Sequence, residues 1–303
     1  MMKKILKGLN KIFCALLESH DQISQYKLRS ELIKQTHLLT TAPGISDSKI
    51  CDKEVVVSLT TYGKRLYEVY LTIESIMQGT LKPNRIVLWL QEDMKSQYLP
   101  LSLKKQMDRG LEIFYTKDIR SFKKLIPSLK KYGDSVIITI DDDVLYEYDV
   151  IEKLVNAYKD NPNHVYGNRL KRFSLDKNGL PIDYRKWCDV QNGDNPSPRN
   201  MCIGVGGVLY PPHCFPEEVF NESVFMRLCP RADDIWFWCM ANMNGFSSSK
   251  VYTHNSNGVD FLINPDVQDI ALTRTNLAGR SENNMQLRSL IDYYNCDFYK
   301  GQE

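Results

Sequence analysis

Three observations predict an α/β protein with a mostly parallel central sheet flanked by helices. Almost wholly apolar, β-branched runs occur at Val55–Leu59, Ile86–Leu90 and Val136–Ile140. Segments with helical apolar spacing separate them, and the last run ends in three consecutive aspartates, Asp141, Asp142 and Asp143. Alternating strand and helix implies parallel strands joined by right-handed crossovers, and a strand without a polar face implies cover on both sides.

The elements follow in order. Residues 1–39 place Ile5, Leu6, Leu9, Ile12, Phe13, Leu16 and Leu17 at helical spacing, with Lys3, Lys4, Lys7 and Lys11 between them, so a basic amphipathic helix is expected. Such a helix suits contact of residues 1–17 with an anionic inner-membrane surface, a partner chain, or docking on the main domain. Residues 40–53, with Ala-Pro-Gly and several Ser and Asp, read as a linker. A first strand, Glu54-Val-Val-Val-Ser-Leu, then runs into the polar Thr60-Thr-Tyr, followed by a helix over about 66–77. Arg85–Leu90 is the second strand, 99–109 a helix, Leu111–Tyr115 the third strand and 123–132 a helix. The aspartate-bearing strand and a helix over about 149–158 complete the regular part. Residues 161–200 are irregular, rich in Asn, Asp, Gly and Pro, as are segments that shape the substrate side of α/β enzymes. A glycine loop, Gly204-Val-Gly-Gly, the acidic helix start Asp233-Asp-Ile-Trp, and a short strand Val251-Tyr-Thr before His254 follow. The expected division is a catalytic domain over 54–280, split at 148/149, with a helical tail over 281–303.

Composition narrows the function. At 303 residues and 43% hydrophobic the chain can bury a large core, and a net charge of +2 without a basic reading helix or zinc-finger spacing argues against nucleic acid as partner. Eight cysteines without a C-x-x-C pair favour free thiols in a reducing cytoplasm. The apolar N-terminal stretch is broken by Lys7, Asn10 and Lys11, which is wrong for a secretory core or a membrane span.

The chemistry concentrates in four places. Acids at the carboxyl end of a central strand point into the crevice where open α/β sheets bind ligands. Three adjacent carboxylates repel one another, and a hard divalent cation, Mg²⁺ or Mn²⁺, would neutralise them while serving a phosphorylated substrate. The plainer alternative is a solvated turn capping the following helix. His254 is a candidate further ligand or a structural histidine. Asp233 and Asp234 open an apolar helix, where one acid can cap and the second, beside Trp236 and Trp238, can serve as general base. Leu209 stands where the third glycine of G-x-G-x-x-G would fall, and G-x-x-x-x-G-K-[S/T] is absent, so neither a nicotinamide cofactor nor a P-loop is expected.

Taken in order, Val55-Val-Val-Ser-Leu-Thr-Thr-Tyr, the triple aspartate, the Gly-Gly-Val-Leu-Tyr loop, Asp233-Asp234 and His254 resemble a bacterial polysaccharide-type glycosyltransferase of the GT-A fold, family 2-like, over about residues 54–255. The resemblance implies a Rossmann-like nucleotide-diphospho-sugar fold and a nucleotide-sugar donor, a UDP-sugar first among candidates. Thr60, Thr61, Tyr62 and Arg65 would lie near base and ribose, and Asp141 and Asp142 would join the donor site. Asp143, with Asp141 and His254, would hold Mn²⁺ or Mg²⁺, and Lys124 or Lys123 would add charge near the phosphates. Gly206, Gly207 and Tyr210 would border the sugars. Asp234, with Asp233 as alternative, would deprotonate a hydroxyl of a glycan or lipid-linked glycan acceptor in an inverting transfer that extends a surface polysaccharide. Asp-Asp stands where many such enzymes carry Glu-Asp.

Two other readings use the same residues. Asp141 and Asp143 fit the acid pair of a haloacid-dehalogenase-like phosphatase, although there the nucleophile ends the first strand and here three strands precede it. A catalytically inactive glycan-binding protein would account for the 11% aromatic content but gives the acids no task.

Overall fold

The computed structural model describes residues 2–254, 260–270 and 282–296, with side chains described from residue 19 onward. The strands are β1 (Val55–Thr60), β2 (Arg85–Gln91), β3 (Leu111–Thr116), β4 (Val136–Thr139), β5 (Val144–Tyr146), β6 (His164–Gly167), β7 (Leu170–Arg172), β8 (Cys188–Asp189), β9 (Asn200–Cys202), β10 (Val208–Tyr210), β11 (Ser247–Lys250) and β12 (Phe261–Ile263). The helices are α1 (Met2–Leu39), α2 (Val69–Met77), α3 (Leu101–Met107), α4 (Ile126–Lys131), α5 (Val150–Asp160), α6 (Glu222–Leu228), α7 (Asp233–Met243) and α8 (Glu282–Tyr294).

The central sheet has seven strands in the order β11-β6-β10-β4-β1-β2-β3. Its neighbours pair parallel except at β10, which runs against both β4 and β6. This is the predicted mixed α/β architecture. Side-chain alternation along the strands divides the core. Val55, Val57, Leu59 and Ile138 face Ile73, Ile76, Leu154 and Val155 of α2 and α5, whereas Ile137 and Tyr210 face the opposite layer with Phe237 of α7. Val136–Thr139 is buried throughout, as a central strand covered on both faces must be.

Helix α1 docks through Tyr26 and Ile33 onto Leu71 and Leu145. Below it lies Glu74, fully buried on α2. It accepts from Arg109 (2.8 and 2.9 Å), Gln106 and Gln78 and meets His37 Nδ1 at 3.0 Å, which ties α1 and the α3 end to α2. Burial alone would raise the carboxyl's pKa, but these hydrogen bonds outweigh it and hold Glu74 at about 2. The contact expected of residues 1–17 with a membrane or partner rests on side chains outside the described residues. No helix among the described residues is long and apolar enough to cross a membrane. Residues 40–53 run along the domain, pinned by Gly44 N–H to Arg109 O and by the Asn84 side chain to Ser46 and Ser48 carbonyls.

Several elements depart from the sequence pattern. The helix expected from residue 66 begins at Val69, because 63–67 winds as a 3₁₀ turn. The irregular stretch contains β6, a central-sheet strand whose His164 and terminal Gly167 hide the apolar signal, and a small sheet β8-β7-β9. The strand expected at 251–253 lies earlier, at Ser247–Lys250. Its partner β6 ends at Gly167, and Thr253 is instead tied to the Asn192 side chain.

Candidate active site

β2 and β3 lie on one side of β1 and β4 on the other, so the chain changes direction between β1 and β4. Ligands of open α/β sheets bind at the carboxyl ends flanking such a point. There the structure has a cavity of about 830 Å³, within the range of roughly 300–1,000 Å³ that takes cofactor-sized ligands.

On one side of it Thr61, the residue after β1, donates to Asp142 Oδ2 at 2.6 Å, and Arg65 Nη1 donates to Asp142 Oδ1 at 2.7 Å. The other Arg65 nitrogen lies 2.9 Å from Asp143 Oδ2, which also accepts from Gln268 at 2.7 Å. Burial pushes Asp142 up to about 6 against the pull of Arg65, and raises Asp143 in the same way. Burial disfavours the Arg65 charge, yet Asp142 and Asp143 outweigh it and hold the guanidinium above its ordinary range. Thr60 is spent on the sheet, donating to Trp89 O at 2.8 Å, and half-exposed Tyr62 lies under the Arg65 guanidinium at 5.7 Å.

Across the cavity Lys124 joins the two acidic groups. Its Nζ donates to Asp141 Oδ1 at 2.8 Å and lies 3.1 Å from Asp233 Oδ2, an ion pair whose angle falls outside hydrogen-bond geometry. Burial works against the ammonium, but the charges of Asp141, Asp233 and Asp234 hold it well above the ordinary lysine range. Asp233 accepts from Ser121 at 2.8 Å, and Asp234 accepts from Gly204 N–H at 3.0 Å. Burial, then the adjacent Asp233 charge, push Asp234 up to about 7 despite Lys124. A carboxyl there is poised between acid and base near neutral pH.

Gly204 is a glycine for want of space: a Cβ would sit 2.7 Å from Lys124 Nζ and 2.9 Å from Asp234 Oδ1. Gly206 and Gly207 do not line the cavity. The first packs on the Arg169 backbone and the second, at φ +82°, on Tyr146 and Leu154. Tyr210 is buried in the core. His254 also lies off the cavity lining, with Nδ1 3.1 Å from Asp260 and Nε2 3.6 Å from Asp149. Lys123 lines the cavity and pairs with Asp118.

The donor set suits one divalent ion in part. Mg²⁺ and Mn²⁺ typically use one or two carboxylates, with phosphate and water completing the shell. Asp141 and Asp143 line the cavity and supply two carboxylates, each already paired with a cation, Lys124 and Arg65 respectively. Among the described residues no group of three or more His, Cys, Asp or Glu converges as a ready-made protein cage.

Residues without a sequence signal complete the lining. Arg169, Lys171 and Tyr184 come from the irregular segment, Arg231 from the turn before α7 and Gln268 from the turn after β12. Of the basic ones, Arg231 pairs with Glu282 and Arg185 with Asp183, whereas Arg169 and Lys171 have no carboxylate partner among the described residues.

No family model and no curated protein sequence matches the chain. Solved structures match in part. HddC from Yersinia pseudotuberculosis aligns at TM-score 0.35 and 14% identity over 54% of this chain and 78% of that one. A CMP:2-keto-3-deoxy-manno-octonic acid synthetase complexed with CTP aligns at 0.36 and 11%, over 66% and 89%. Glucosyl-3-phosphoglycerate synthase from Mycobacterium tuberculosis, in complex with Mn²⁺, UDP and phosphoglyceric acid, aligns at 0.29 and 11%, over 38% and 43%. Likenesses this partial assign neither family nor activity.

Proposed function

We propose that the protein is a glycosyltransferase of the GT-A type, moving a sugar from a nucleoside-diphosphate donor, a UDP-sugar foremost, to a glycan or lipid-linked glycan acceptor with inversion. One observation carries the reading. A cavity at the switch point of the sheet sets a hydroxyl- and arginine-bound acidic end, Thr61, Arg65 and Asp142, opposite a carboxyl held near neutrality, Asp234.

In this reading the nucleotide lies over β1 and β4, with Tyr62 available to stack on the base. Asp141 and Asp143 would hold Mn²⁺ or Mg²⁺; when bound, the ion acts as a Lewis acid that stabilises charge on the departing diphosphate. His254 faces Asp260 and Asp149, so the proposed ligand set rests on the two aspartates. Asp234 takes the proton of the acceptor hydroxyl as its oxygen forms a bond to the anomeric carbon. The bond from that carbon to the diphosphate oxygen breaks, and both its electrons leave with the nucleotide. Lys124 and Arg65 supply positive charge where that negative charge appears. Extension of a bacterial surface polysaccharide from the cytoplasmic side is the biological setting that fits such an acceptor.

Calorimetric titration of UDP tests the reading, with Mn²⁺, with EDTA, and with Asp143→Ala. Binding that requires both the ion and Asp143 is expected. No nucleoside-diphosphate binding under any condition would refute it, and turnover of a simple phosphoester would replace it with a phosphatase.

A further inference from the structure

We propose that the acceptor bound beside Asp234 carries an anionic group, a phosphate or a carboxylate, and that Arg169 and Lys171 bind it; this rests on the transferase reading above. Both side chains line the cavity, from the turn before β7 and from β7 itself. The Arg169 carbonyl accepts from Ile203 N–H at 2.9 Å, and the next residue, Gly204, is the one whose N–H holds Asp234. Arg169 is therefore built into the same loop system as the proposed base.

Tyr184 lies in the same wall. It is buried in the cavity wall, where burial raises its pKa most; the Asp234 charge adds to the rise and the Arg169 charge opposes it. The Asp189 charge raises it as well, by less than either. Lys171 Nζ lies 5.5 Å from the Tyr184 ring centroid, with a 3.4 Å bond to Trp187 O. Its cross-strand neighbour Asp189 forms no ion pair with it among the described residues.

The charge balance points to a ligand. Arg65 and Lys124 are matched by aspartates, so the donor half carries its own counter-charges. Arg169 and Lys171, on elements that follow α5, form no ion pair with a carboxylate among the described residues; the third such cation in the lining, Arg120, is held by Pro230 O at 2.9 Å. Low-dielectric walls strengthen the field of such a pair, and a planar guanidinium beside an ammonium suits a two-oxygen anion. A neutral hydroxyl would accept a hydrogen bond from that pair but bring no counter-charge. A phosphate or carboxylate on the acceptor sugar would fill it while a hydroxyl meets Asp234.

The test uses full-length protein saturated with UDP and Mn²⁺, so that the diphosphate site is filled, and titrates glucose 6-phosphate, glucuronate and glucose. Charge-assisted hydrogen bonds predict that one or both charged sugars bind about 10- to 100-fold more tightly than glucose. Arg169→Gln and Lys171→Gln, made separately and together, should remove that preference while leaving UDP affinity and the melting temperature unchanged. Preference for glucose 6-phosphate alone would assign a phosphorylated acceptor; preference for glucuronate alone would assign an acidic sugar. Equal binding of all three, or a preference that survives both substitutions, overturns the proposal. If UDP does not bind but the charged sugars still require Arg169 and Lys171, the anion site stands and the transferase reading falls.

Discussion

Asp234→Asn separates the cost of the proposed base from its use. The carboxyl is raised from 3.8 to about 7 in the folded protein. At about 1.4 kcal/mol per pKa unit, that is roughly 4 kcal/mol at most by which folding disfavours the ionised form. The sign follows from the raised folded value. Stability is full below the ordinary carboxylate range and is lost progressively as pH rises from about 4 to about 7. Asparagine removes that loss, so Asp234→Asn should melt higher than the parent above pH 7, with the difference vanishing near pH 3. Activity should move the opposite way. In the proposed transfer deprotonated Asp234 is the working form, so log kcat/KM, read as UDP released from donor plus acceptor, should climb by about one unit per pH unit up to a plateau near pH 7. The asparagine variant should lose about 10²- to 10⁴-fold while binding UDP normally. Asp233→Asn, which removes the neighbouring negative charge, should move the acidic limb to lower pH. A limb centred near pH 4 in the parent, or a shift to higher pH in Asp233→Asn, would refute the electrostatic reasoning.

Three further outcomes are expected. Glu74, lowered from 4.5 to about 2, contributes roughly 3 kcal/mol that is present above pH 4.5 and lost as pH falls through about 2; Glu74→Ala strands the buried Arg109 and should cost about 3–5 kcal/mol in urea denaturation at pH 7. Gly204→Ala forces a methyl against Lys124 and Asp234, so transfer should fall by roughly 10²-fold while urea denaturation changes by less than about 1 kcal/mol. Ile33→Ala, at the foot of α1, should cost about 2–4 kcal/mol in the same denaturation assay, because the contact with Leu71 and Leu145 is fully buried.

The legible part of the fold is the part where hydrophobicity alone decides. Val55–Thr60, Arg85–Gln91, Leu111–Thr116 and Val136–Thr139 are runs long enough to declare a parallel strand, and the central sheet forms on them. The strands that were not foreseen are short. β6 and β10 span four and three residues, and their pairing comes from ladder partners far away in sequence, which no local window records. The candidate site divides in the same way. Asp141–Asp143, Asp233 and Asp234 announce themselves by charge at element ends, Thr61, Arg65 and Lys124 are reached through the resemblance, and all line one cavity. Arg169, Lys171 and Tyr184 come from a stretch without periodicity, where nothing local says which side chains turn inward. His254 is the converse case: its position after a short apolar run suggested a ligand, whereas it lies off the cavity lining with its Nδ1 3.1 Å from Asp260.

The reversed strand β10 has a wider effect than its three residues suggest. Its first residue, Val208, sits beside Gly167 and Thr139, the last residues of β6 and β4. Residues 168–207 thus leave the scaffold and rejoin it on the same rim, the one carrying the aspartates. The stretch is fastened along its length as well as at its ends: Phe173, Trp187 and Met201 pack in one core with Trp238 of α7, and Ser197 bridges to Ser248 of β11, so the wall of the cavity and the core beneath it are one structure. Replacing residues 170–202 as a block would therefore disturb the packing of α7, and with it Asp233 and Asp234 at its first turn, together with the cavity wall.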